Sequence, residues 1–156
     1  MKYSLILINK SKDNYIAKGF VEYESRLKHY ARFETIVLEL PKKQKFASVD
    51  MQKNEEGKLL LQSIGNQDFL VLLDDKGKSF SSEQFANQIQ KWQVSGVSNV
   101  IFVIGGPFGF SQDVYARANL QLSLSRMTLT HQMVRLFFLE QLYRAHTIIK
   151  GEKYHH

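Results

Sequence analysis

Two short runs, Asp68 to Leu73 (DFLVLL) and Asn99 to Ile104 (NVIFVI), are of strand length and apolar after their first residue. A strand with one face in water alternates apolar and polar residues, so unbroken runs like these belong to strands covered on both faces. Such strands lie inside parallel sheets, where each parallel connection needs a crossover, usually a helix. The chain must therefore supply helices between its strands.

The remaining sequence has that pattern. Tyr3 to Asn9 is a short apolar stretch that reads as the first strand. Ile16, Phe20, Tyr23, Leu27 and Tyr30 follow at helical spacing and line one face. Phe33 to Leu40 reads as a second strand ended by Pro41, and the lysine-rich loop PKKQKFASVD leads into a helix through Ile64. DFLVLL stops, on this reading, at DDKGKSFS, where paired aspartates and Gly77 signal a turn. The third helix opens at Ser81 or Ser82 as N-cap and closes at Gly96. A short helix over Gln112–Ala118, a last strand in LQLSLS and a helix from Thr130 to Lys150 complete the chain before the tail GEKYHH. Alternation of this kind predicts an α/β fold, with a mostly parallel sheet flanked by helices in one domain spanning 1–156.

Composition narrows the function classes. No apolar run is long enough to cross a bilayer, and the N-terminus lacks a small-residue cleavage site, so no membrane partner is expected. The absence of cysteine excludes disulfides and thiolate metal sites and fits a cytoplasmic location. Neither an H-x-x-x-H nor an H-E-x-x-H pattern occurs, so no metal is expected. A net charge of +6 suits a polyanion such as nucleic acid, with Lys42, Lys43 and Lys45 as candidate contacts. A basic surface that serves only solubility is the alternative.

Three stretches could carry chemistry. VIGGPFG, residues 103 to 109, places glycines at the end of a buried strand, where α/β sheets bind ligands. The same glycines could serve only a tight turn. SLSRMTLT, residues 123 to 130, offers hydroxyls and free backbone groups that could grip a polar ring, or Thr130 could simply cap the next helix. That helix carries His131 and Arg135 on one face and apolar residues over most of the rest, a pattern that suggests burial against a second subunit, with burial in a large internal core as the alternative.

Taken in order, LLDDKGK, IGGPFG, LSLSRMTLTHQMVRLFFLEQLYRA and the closing YHH resemble the small SPOUT-superfamily methyltransferases that modify N3 of a pseudouridine in 23S ribosomal RNA. The likeness covers essentially the whole chain and is strongest from Leu72 onward; Thr130, where the family has proline, and Phe108 are departures. It implies a SPOUT-type α/β knot with a C-terminal trefoil knot, a homodimer, and S-adenosylmethionine (SAM) as cofactor. Carried over by residue, the implied cofactor contacts are Leu73, Gly105, Gly106, Leu124, Ser125, Arg126, Met127, Thr128 and Leu129. The implied partner is ribosomal RNA within the large subunit or the assembled ribosome.

Methyl transfer requires the attacking nitrogen in line with the donor methyl, and the pseudouridine N3 must lose its proton. His155 is the expected residue near that proton, with Tyr154 stacking on or orienting the base. Arg135 is expected to contact phosphate or uracil oxygens, with an ion pair to Glu140 as its alternative. A non-catalytic RNA-binding module on the same scaffold would carry bulky residues in place of Gly105, Gly106 or the small hydroxyls, and the sequence has none.

Overall fold

The computed structural model describes residues 1–41 and 45–155. Lys42 and Lys43, expected as RNA contacts, lie outside the described residues, as does His156; Lys45 is exposed. The elements run β1 (Lys2–Ile8), α1 (Asn14–Lys28), β2 (Arg32–Leu38), α2 (Val49–Gln62), β3 (Phe69–Ser79), α3 (Ser82–Val94), β4 (Asn99–Ile104), α4 (Gln112–Arg117), β5 (Leu120–Ser123) and α5 (Met133–Ile149). All neighbouring strands pair in parallel, in the order β2-β1-β4-β3-β5.

Strand periodicity sorts the core into two layers. Tyr3, Leu5 and Leu7 of β1, Val71 of β3 and Val100, Phe102 and Ile104 of β4 face α1, α3 and α5. Ile6, Leu70, Leu72, Ile101 and Val103 point the other way, onto Leu60 of α2 and Val114 of α4. The unbroken apolar runs of β3 and β4 follow directly from this, because each of their faces meets a helix layer. Ser81 caps α3 in a reciprocal capping box with Gln84, and Gly96 takes φ +78° just past its end.

The structure corrects the reading of DDKGKSFS as a turn that ends β3. The strand continues to Ser79, and its pairing with β5 shifts register between Leu73 and Lys78, both of which lie opposite Leu122. Asp74 to Gly77 bulge out of the ladder, after which Lys78 and Ser79 pair with Leu122 and Ser123. Gly77 is required by close approach: a Cβ there would fall 2.6 Å from the carbonyl carbon of Gln121. Polar sequence ended the apolar run here, but backbone pairing did not depend on it.

Most of α5 is covered inside the chain. Phe138, Leu139, Leu142 and Ala145 are buried in the layer shared with α1 and α3, and Met133 and Phe137 in the first two turns keep 38% and 37% of their surface exposed. His146 of α5 is 5% exposed and packs edge-on to Tyr3, with ring centroids 5.3 Å apart. Burial, helped by the Lys150 charge, pushes its pKa down to about 4 from 6.5. The fold holds this imidazole neutral, whereas the unfolded chain takes up a proton below pH 6.5, so its contribution is complete above that pH and lost as pH falls toward 4. Urea unfolding at a series of pH values should show stability dropping across that window by up to about 3 kcal/mol. His146→Leu should flatten that part of the profile.

Candidate functional site

The C-terminal ends of β4, β3 and β5 lie side by side, and their loops enclose a cleft of about 520 Å³. The expected cofactor contacts Leu73, Gly105, Gly106, Leu124, Ser125, Met127, Thr128 and Leu129 all line it. Arg126 does not; it is exposed outside the lining set. The cleft also takes in Asp74, Asp75 and Lys76 from the β3 bulge, with Tyr115 and His131. That edge of the sheet is where open α/β folds bind ligands, since helix-covered faces leave free loops only at strand ends.

Each glycine of the GGPFG loop has its own reason. Gly109 takes φ +77°, and its N–H donates to the Gly106 carbonyl at 3.3 Å, so it supplies the turn. Gly105 and Gly106 both lie in tight contact with neighbouring side chains. A Cβ on Gly105 would meet the Phe110 ring at 2.9 Å, and one on Gly106 would fall 2.7 Å from Glu56 Oε2. A Cβ at either position would need Phe110 or Glu56 to move, and without one the loop packs closely on both and offers backbone to the cleft.

The hydroxyls of the 123–130 loop hold its own shape. Ser123 Oγ donates to the Ser125 carbonyl at 3.0 Å, and Ser125 Oγ accepts from the Met127 N–H at 2.9 Å. Thr130 Oγ1 accepts from the Met133 N–H at 3.1 Å, and its carbonyl accepts from Val134 at 3.0 Å, the bonding of an N-cap, although regular helix begins only at Met133.

Arg135 has no exposed surface, so it has none to offer a phosphate. Its guanidinium donates to the Ile8 carbonyl, Ser11 Oγ and His131 Nε2, each at 3.0 Å. Guanidinium cannot accept, so His131 Nε2 accepts and its proton sits on Nδ1. Burial, followed by the Arg135 and Lys12 charges, lowers the His131 pKa and keeps the ring neutral. The expected alternative, an ion pair with Glu140, is not formed either: Glu140 pairs with Arg144 at 2.6 Å. Arg135 thus ties the end of β1 to the start of α5, behind the cleft wall that His131 provides.

Residues 1–155 match a family model described as "Predicted SPOUT methyltransferase". Proteins named "Ribosomal RNA large subunit methyltransferase H" are similar over the full length: that of Cytophaga hutchinsonii is 53% identical, covering 100% of both chains. Those of Christiangramia forsetii and Desulfotalea psychrophila are 50% and 47% identical, covering 100% and 99% of this chain and 99% of each relative. The chain belongs to the SPOUT methyltransferase family.

In this SPOUT methyltransferase the tail residues expected at the reaction centre do not line the cleft of their own chain. Tyr154 OH donates to Glu140 Oε1 at 2.9 Å and lies 3.2 Å from Tyr23 OH, which is left as the donor to it. The Arg144 guanidinium lies 4.8 Å from the centre of the Tyr154 ring. His155 Nε2 meets Glu83 Oε1 at 2.8 Å, and this bond holds the Glu83 carboxyl down to about 2. Tyr154 and His155 are therefore docked on α1, α3 and α5.

Sequence reasoning missed the pair Asp74 and Tyr115. The Tyr115 hydroxyl donates to Asp74 Oδ2, and Asp74 Oδ1 accepts from the Lys76 N–H at 2.9 Å, which anchors the β3 bulge at the cleft. Burial and then the Asp74 contact push the Tyr115 phenol up to about 12. Forty-odd residues separate the two, so only the β3–β5 adjacency could have paired them. Tyr115→Phe should lower stability in urea by about 1.5–3 kcal/mol, the usual contribution of a hydrogen bond to a charged group.

Proposed function

We propose that the chain transfers a methyl group from SAM to N3 of a pseudouridine in 23S ribosomal RNA, acting as a cytoplasmic homodimer. The observation that carries this reading is the cleft in which three separate loops converge. Its volume of about 520 Å³ suits a ligand of SAM size, since small-molecule sites span roughly 300–1,000 Å³. Leu73, Leu124 and Leu129 supply apolar walls for an aromatic ring, and the flat Gly105–Gly106 backbone permits close approach. Asp74 and Asp75 place carboxylates where a cationic sulfonium ligand would be favoured. The name carried by the similar proteins supports ribosomal RNA as substrate, and the +6 charge fits a polyanion. In this reading the C-terminal segment threads as a trefoil knot, a rare exception to the avoidance of knots.

Bound SAM supplies an electrophilic methyl on a positively charged sulfur. The chain's own residues orient the reactants and handle the proton. The 124–129 loop, stiffened by its hydroxyl bonds, holds the donor in one pose, which is where most of the rate gain of a two-reactant transfer arises. His155 accepts the N3 proton while Tyr154 holds the uracil ring, as N3 takes the methyl. Because both are docked away from their own cleft, they serve the cleft of a second copy. Exposed Phe108 and Met127 at the cleft mouth, with Met133 and Phe137 on the neighbouring turns of α5, supply apolar surface for that copy. Arg135 acts as a positioning residue.

Two variants test the arrangement. Leu129→Arg should abolish SAM binding in calorimetry, because the new side chain fills the cleft with little cost to the core. Truncation after Gly151 should leave SAM affinity within about two-fold and remove methylation of ribosomes that lack the modification, since base orientation and proton handling act in the transition state. Mixed dimers of the two variants should regain part of the activity, because each contains one open cleft facing one intact tail. Full activity of the truncated protein, or no recovery in mixed dimers, would exclude the tail from the mechanism as proposed. Sedimentation at micromolar concentration should show a species of twice the chain mass.

A further inference from the structure

Glu56 is a buried acid outside the cleft. It lies on α2 with 5% of its surface exposed, and no ion pair among the described residues includes it. Lys53, one turn away, is 3.6 Å from Asp50 instead. The hydrogen bond given to the Glu56 side chain comes from Gln52 Nε2, at 3.1 Å to Oε1. Holding an acid in so buried a position is costly, so its placement calls for a structural reason.

Its surroundings are the underside of the glycine loop. Both carboxyl oxygens face Gly106, at 2.7 and 2.8 Å from where a Cβ would stand. Glu56 does not line the SAM cleft, so the carboxyl meets the loop from outside the cleft. The next residue explains how it gets there. Gly57, within α2, costs about 1 kcal/mol relative to alanine in a helix, yet a Cβ at that position would collide with Ser111 Oγ. Absence of a side chain lets α2 close onto Ser111 and Val114, which brings Glu56 beneath Gly106. Two adjacent residues thus work together, one allowing the approach and the other making the contact.

We propose that Glu56 is a positioning residue for the cofactor: its carboxyl, packed against Gly106, sets the height of the Gly105–Gly109 loop and so the wall that this loop presents to SAM. The inference rests on the SAM reading of the cleft. It also explains Gly106 in a way the cleft alone does not, since a side chain there would run into Glu56.

The test is a double-mutant cycle read by SAM calorimetry. Gly106→Ala should weaken SAM binding by about ten-fold, because the loop and the Glu56 carboxyl that Gln52 holds must move apart, a coupling within the range for residues in contact. Glu56→Ala should weaken it by several-fold, and Glu56→Gln, which keeps the shape, should stay within about two-fold of the parent. Combining Glu56→Ala with Gly106→Ala should recover at least about five-fold of the affinity lost by Gly106→Ala alone. If Glu56→Ala does not fold, Glu56→Asp withdraws the carboxyl by one methylene and should give the same recovery. A loss on Gly106→Ala that is equal in both backgrounds, or Glu56→Gln as weak as Glu56→Ala, would overturn the proposal. A general loss of stability would not produce recovery. A parent that binds no SAM would refute the cofactor reading itself, whereas a parent that binds, with additive variants, would refute only the role of Glu56.

Discussion

Burial of β1, β3 and β4 on both faces is the constraint from which the rest of the structure follows. A two-sided parallel sheet must be roofed by helices, so every chain segment free to meet a ligand is confined to the strand ends. Helix α5 and its partners α1 and α3 close one face, α2 and α4 the other, and the loops after β3, β4 and β5 are left adjacent at one edge. The cleft is a consequence of strand order: inserting β4 between β1 and β3 and adding β5 outside β3 brings three distant loops together.

Precision in that cleft depends on polar groups bonded in its walls and behind them. Arg135 is held by a carbonyl of the β1 end, a serine hydroxyl and a histidine ring, and through His131 it fixes one wall. Tyr115 holds Asp74, which anchors the β3 bulge. Glu56 supports the glycine loop from below. Such groups are costly to bury, and removing a partner leaves the remaining one unsatisfied, so each acts as a position-specific restraint. His146 carries the corresponding cost in pH sensitivity, being held neutral by its surroundings.

The tail illustrates how placement changes a functional reading. Tyr154 and His155 have side chains suited to stacking and proton exchange, and their spacing from α5 is plain in the sequence. Docked on Glu140, Tyr23 and Glu83, they lie outside the lining of their own cleft. That placement is the reason the proposed mechanism assigns them to the cleft of a second copy.

By itself the sequence determined the element order, the two-sided sheet and the 103–109 and 123–130 loops of the cleft, because hydrophobic periodicity and turn chemistry are local properties written along the chain, whereas Leu73 came from the family resemblance. Thr130 as a cap and Ser81 as an N-cap are legible for the same reason. Only the tertiary structure decided that β3 continues past Gly77, that Arg135 is spent on the β1 end and not on Glu140 or RNA, and that Glu56 lies beneath Gly106. Those facts depend on which strands and helices become neighbours across tens of residues. Pairing across the β3 bulge and the approach of α2 to α4 are set by the packing of the whole sheet, and no local pattern encodes them.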